Sequence, residues 1–124
     1  MVSDNIYNLL AATATLTAII PAENIGWVNV EELTAYPKLE YRCIDAPTML
    51  EATDEWQRWR FHIVHYSKTQ CAAVALILTG LLNNSHGLID GTYFDYISKI
   101  LESPLELRDD NQYEQYIDFR IMYH

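Results

Sequence analysis

From Ile97 to Leu107, and again from Tyr113 to Tyr123, polar and apolar residues alternate on either side of the acidic stretch Asp109-Asp110-Asn111. Alternation with a period of two marks strands that lay one face on a core. In the second run Tyr113, Gln115, Ile117, Phe119, Ile121 and Tyr123 share a face, and the stretch between the runs turns the chain back. The strongest strand signal is Trp56 to Tyr66. Gln57, Trp59, Phe61, Ile63 and His65 lie on one side, and Trp56, Arg58, Arg60, His62 and Val64 on the other. The second set mixes charges with an aromatic, which predicts a face at most half buried. Lys38 to Ile44 alternates Leu39, Tyr41 and Cys43 with Lys38, Glu40 and Arg42, and Ile25 to Val30 is a shorter strand.

Two segments carry the helical period. Ser67-Lys68-Thr69-Gln70 matches a capping box and opens a helix to about Leu82, with Asn83 and Asn84 suited to its end. Cys71 to Leu82 is apolar around most of its circumference, which predicts packing on more than one side. It falls short of the roughly 18 apolar residues of a membrane span. Ser3 or Asp4 caps a first helix to about Ile19, with Ile6, Leu9, Leu10, Thr13, Leu16 and Ile20 near one face and Pro21 limiting it. Asp45 to Glu55, with Pro47 and its acidic residues, reads as a long loop. Asp90-Gly91 is a turn signal. After it, Thr92 to Leu107 is ambiguous at its start, because Phe94, Ile97 and Ile100 also fit a helix. Ser103-Pro104 favours a bent or bulged edge strand. The sum is an α+β fold: an antiparallel or mixed sheet of about four to five strands, packed with two main helices, in one domain spanning residues 1–124.

Composition narrows the function. Half of the 124 residues are hydrophobic and a fifth are charged, so a packed core is expected. Eight basic and seventeen acidic residues give a net charge of −9, which opposes broad binding to nucleic acid. Nine tyrosines, three tryptophans and three phenylalanines suit strands and interfaces. Cys43 and Cys71 are too few for a disulfide framework and read as small buried hydrophobes, with a single bridge left open. Met1-Val2-Ser3-Asp4 lacks the positive charge of a signal peptide.

Catalytic patterns are lacking. His62 and His65 differ by three positions on a strand and so point to opposite faces, unlike a metal pair. Ser67 is better placed as a helix cap than as a nucleophile paired with His65 and Asp45. Glu31-Glu32, Asp54-Glu55 and Asp109-Asp110 sit in or beside loops and read as a solvated acidic surface. The four glycines are isolated, so no phosphate loop forms. No cofactor, metal or enzymatic activity is expected. Arg58 and Arg60, beside Trp56, make a small cationic patch. It either pairs with acids on neighbouring strands or contacts an acidic partner protein.

The layout resembles the tail-completion, or tail terminator, proteins of long-tailed bacteriophages. The likeness covers most of the chain. It lies in the helix near the start, in Tyr36-Pro37-Lys38-Leu39-Glu40-Tyr41, in Trp59-Arg60-Phe61-His62-Ile63 running into a Ser-capped Ala-rich helix, and in the closing strand Tyr116-Ile117-Asp118-Phe119-Arg120-Ile121. Tyr93-Phe94-Asp95-Tyr96 departs from the family's more polar approach to the penultimate strand. The resemblance implies a structural virion protein, made in the host bacterial cytoplasm. Copies would form a ring, typically a hexamer, that ends the tail tube and offers the surface onto which the head connector or closure protein docks. DNA would pass through the lumen without specific binding, and no membrane is involved. Pro47, Met49, Glu51, Asp54, Trp56, Arg58, Arg60, Asp109 and Asp110 are the regions expected to meet neighbours, the lumen or solvent. Two other classes share the pattern. One is another neck component, such as a head-closure protein. The other is a small cytoplasmic enzyme with an acidic site.

Overall fold

The computed structural model describes residues 2–28, 33–45, 55–83, 85–89 and 92–123, with side chains described for 4–28, 33–44, 57–83 and 97–122. Helices α1 (Val2–Ala11) and α2 (Ala14–Thr17) come first. Strands β1 (Ile25–Trp27), β2 (Lys38–Asp45) and β3 (Glu55–His65) follow. Helix α3 (Lys68–Leu82) then leads to β4 (Ser85–Ile89), β5 (Thr92–Glu102), β6 (Glu106–Leu107) and β7 (Tyr113–Tyr123).

The seven strands form one sheet in the order β1-β2-β3-β7-β5-β4, with the two-residue β6 paired to β7. β1 runs parallel to β2 and every other pairing is antiparallel. The α+β class and the mixed sheet are those expected from sequence, and the five expected strands are all present. β4 is an additional short piece, and the expected strand from Thr92 to Leu107 is divided after Glu102 into β5 and β6.

The helices pack on one face of the sheet. Ile6, Leu10, Leu16 and Ile20 from the N-terminal segment join Cys71, Val74, Ala75, Leu78 and Leu82 of α3. Beneath them lie Leu39, Tyr41, Trp59, Phe61, Ile63, Ile97, Ile117, Phe119 and Ile121, the alternating sets read from sequence. Phe61 stacks on Tyr41 at 5.4 Å and meets Phe119 edge-on at 5.5 Å. Each such ring contributes roughly 1.5–3 kcal/mol by burial, and a ring pair about 0.5–1.5 kcal/mol more.

Several expectations need correction. The first helix breaks at Thr13, whose hydroxyl donates to the Leu9 carbonyl at 2.8 Å and whose amide turns to Leu10. A β-branched hydroxyl residue that bonds the preceding turn competes with the helical ladder, so α2 restarts from it. Ser3 and Asp4 lie inside the first turn of α1, where Asp4 favours the positive end of the helix dipole. α3 begins as expected, with Ser67 Oγ accepting from the Gln70 amide at 3.3 Å. It is covered on one side only: Leu76 is 75 % exposed, between exposed Ala72 and Gly80. β5 is no simple edge, because β4 pairs outside it as far as Ile97 and β7 lies on its other side. It is bulged between Phe94 and Tyr96 and between Lys99 and Leu101.

Both cysteines are free. Cys43 is half-buried, against the expectation, while Cys71 is fully buried. Burial, then the negative charge of Glu114, pushes the Cys71 thiol up to about 11. A thiolate-directed reagent should therefore modify Cys43 in the folded protein and Cys71 only on unfolding. Equal native reactivity of the two would contradict this packing.

Candidate functional site

The face of the sheet turned away from the helices carries the unusual chemistry. Even-numbered positions of β3 and β7, and of β2 up to its bulge after Cys43, point there. At the end nearest Tyr113 this face is buried and ionic. Lys38 Nζ lies 3.1 Å from Glu40 Oε1 and donates to the Leu33 carbonyl at 3.0 Å, with its side chain fully buried. The Leu33 amide donates to Glu40 Oε2 at 3.0 Å. His62 stands between two carboxylates, Nδ1 at 2.9 Å from Glu40 and Nε2 at 2.8 Å from Glu114, and its ring stacks on Tyr116 at 4.3 Å.

Burial pushes the Glu40 carboxyl up. The hydrogen bonds from His62, Leu33 and Lys38, with the Lys38 charge, outweigh burial and hold the group at about 2. Tyr36 covers this end, with Lys38 Nζ 5.3 Å and the Arg108 guanidinium 5.7 Å from its ring centre. His62 and Val64 are therefore buried, and the second face of β3 is more than half covered there. The expected opposition of the two histidines holds. His65 lies on the helix side and its Nδ1 accepts from the Ser67 amide at 3.0 Å.

Beside this network opens a cleft of about 410 Å³, lined by His62, Leu107, Arg108, Asp109, Asp110, Glu114 and Tyr116. The acidic turn forms its rim. Arg108 and Gln112 close the turn by a 2.7 Å backbone bond, and Asn111 adopts φ 62, a left-handed conformation that asparagine tolerates. Arg108 lies 3.4 Å from Asp110 and 3.9 Å from Glu114. Among the described residues no group of three or more His, Cys, Asp or Glu side chains is placed to hold a metal ion.

Further along the same face the charge reverses. Asp118 is fully buried and takes four hydrogen bonds. Arg58 donates through Nε at 2.9 Å and Nη2 at 2.7 Å, and Arg60 through Nε at 2.8 Å and Nη2 at 3.1 Å. Burial pushes the Asp118 carboxyl up, but the two guanidiniums prevail and hold it below the usual carboxylate range. Cross-strand register adds Arg42 opposite Arg60 and places Asp45 of β2 and Arg120 of β7 on either side of Arg58, with Arg42 and Arg120 exposed. Half of the basic residues of an acidic chain thus converge on one patch.

Of the sequence-selected residues, Arg58 and Arg60 come together here and Asp109 and Asp110 come together at the cleft. The structure separates the two groups along the sheet. Trp56 occupies β3 opposite Met122. Pro47, Met49, Glu51 and Asp54 lie outside the described residues. Sequence reading missed Asp118, Arg42, Arg120 and the Lys38-Glu40-His62-Glu114 network. Each occupies the polar parity of its strand, so the missing signal was the register that joins them.

No family model and no curated protein matches this sequence. Among solved structures, a chain of the virion of a native gene transfer agent particle shares the fold. The match has a TM-score of 0.73 over 95 % of this chain and 90 % of that one, with 10 % of residues identical.

Proposed function

We propose that this chain is a structural virion protein of a long-tailed phage. It closes the tail tube as a ring and provides the surface on which the head connector or closure protein docks. The observation that carries the reading is the near full-length fold likeness to a virion component. It joins the resemblance in Tyr36 to Tyr41, Trp59 to Ile63 and Tyr116 to Ile121 to tail-completion proteins. The ion-paired groups also suit a scaffold. Glu40 and Asp118, the displaced carboxylates, are each held in a fully bonded structural role.

In this reading the mechanism is stoichiometric binding. Residues around Pro47, Met49, Glu51 and Asp54 contact the tube or a neighbouring copy. Arg58 and Arg60 belong to a contact face, and Asp109 and Asp110 stand at the lumen or rim. The net charge of −9 lets DNA slide past without sticking. The test is electron microscopy of phage particles lacking the protein. Unjoined heads and tails, or overlong tails, are expected. Normal infectious particles would reject the role, and joined but DNA-leaking heads would move it to head closure.

A further inference from the structure

The patch around Asp118 is a prearranged cationic surface, and the rest of the molecule offers something to fill it. A guanidinium has five N–H donors. Arg58 and Arg60 each turn Nε and Nη2 to Asp118, and their side chains remain 35 % and 32 % exposed. The buried carboxylate thus fixes two forks with their remaining donors free to face outward. Arg60 is steadied further, 5.6 Å from the Tyr116 ring centre. With Arg42 and Arg120, and after subtracting Asp118, these residues carry a net +3 in a chain of −9, and the register sets one further acid, Asp45, opposite Arg58 at the patch edge. The remainder is strongly acidic.

The acidity has a focus on the same sheet. Glu106, Asp109 and Asp110 are exposed around the turn that leads into Tyr113 at the start of β7, and Arg108, 3.4 Å from Asp110, offsets one of their three charges. Arg120 lies seven positions along the same strand, about 24 Å away at the usual strand rise. One face is therefore positive towards one end of β7 and negative at the other. The two areas match in apolar character too. Leu101, opposite Asp118 in register, is 44 % exposed beside the arginines, and Leu107 is 62 % exposed within the acidic turn.

We infer that the arginine patch on β2, β3 and β7 is the docking site for the acidic turn of a second copy of this chain. Leu107 seats near Leu101, and the carboxylates of Asp109 and Asp110 meet the side chains of Arg42, Arg58, Arg60 and Arg120. Planar guanidiniums suit paired carboxylates through bidentate bonds. Their fixed orientation spares the side-chain ordering that association otherwise costs. A DNA duplex fits less well. It offers a continuous line of phosphates, about one charge per 1.7 Å of axis, and would lie over the acidic remainder as well as the patch. The contact joins different surfaces of each copy, so repetition yields a closed ring or an open chain. This deepens the ring element of the proposed function by naming its two surfaces.

The experiment uses purified full-length protein and sedimentation velocity at about 0.1 mM. Wild type should self-associate, and more weakly as salt rises from about 0.01 M to 1 M and the screening length falls from about 30 Å to about 3 Å. R42E/R120E and D109K/D110K should each associate at least about tenfold more weakly while keeping the wild-type circular dichroism spectrum. An equimolar mixture of the two should associate again, because the native turn of the patch variant meets the native patch of the turn variant. The neutral pairs R42Q/R120Q and D109N/D110N replace any charge-reversal variant that fails to fold, and each should weaken association. A monomeric wild type at low salt, or two variants that stay apart on mixing, would overturn the assignment. So would a patch variant that loses binding to a short DNA duplex yet still self-associates. These outcomes do not depend on whether particles lacking the protein assemble, so either conclusion can fail without the other.

Discussion

Glu40→Leu should destabilise the protein by about 3–5 kcal/mol, the cost of stranding a buried charge. Glu40 holds three neighbours at once. Lys38 Nζ is 3.1 Å away, His62 Nδ1 2.9 Å, and the Leu33 amide 3.0 Å. The substitution leaves a fully buried ammonium without its carboxylate and takes the acceptor from a backbone N–H. Lys38→Met/Glu40→Leu should recover part of the loss, because two apolar side chains of similar length replace an ion pair whose burial was itself costly, while the Leu33 amide and carbonyl stay without their side-chain partners. Urea unfolding checks this through a shift in midpoint at constant slope. A Glu40→Leu midpoint equal to wild type would mean that the site is hydrated and the ion pair idle.

The same carboxylate makes stability depend on acid. The Glu40 carboxyl drops from its ordinary 4.5 to about 2 on folding, so the folded state binds its proton less readily than the unfolded chain. Its contribution is present in full above about pH 4.5 and is lost as pH falls towards 2. Asp118 acts in the same direction. Wild-type stability should fall across this window, and Glu40→Gln should flatten the slope.

Much of the fold was legible because alternation survives in a sheet with one apolar face. Phe61, Ile117, Phe119 and Ile121 were placed on the core by parity alone, and Ser67 announced the start of α3. The polar face was harder, because parity says which side a residue faces and nothing of what covers it. Lys38 and Glu40 read only as the polar set of their strand and His62 as part of a face at most half buried, yet Tyr36 and the turn after Leu107 lie over them. The break at Thr13 was hidden by an apolar spacing that runs on through it. The single-sided packing of α3 was hidden by Leu76, an apolar residue exposed to solvent. Arg58 and Arg60 were visible as neighbours. Asp118 was not visible as their partner, because it lies 60 and 58 residues further on and only the β3–β7 register unites them.

Asp118→Ala should cost about 2–3 kcal/mol. This is less than the loss at Glu40, because Arg58 and Arg60 are about a third exposed and can turn to water once released. Its effect on self-association separates two physical accounts of the patch. If only charge mattered, removing the carboxylate would raise the patch from +3 to +4 and tighten binding of an acidic partner. If orientation matters more, two freed guanidiniums each forfeit about 0.5–1.5 kcal/mol of prior ordering, while one more exposed charge returns at most about 1 kcal/mol. Orientation therefore wins. Asp118→Ala should associate about tenfold more weakly than wild type, a gap that persists at high salt, where the extra charge is screened. Tighter association of Asp118→Ala at every salt concentration would show that the buried carboxylate holds the sheet together and plays no part in shaping the surface above it.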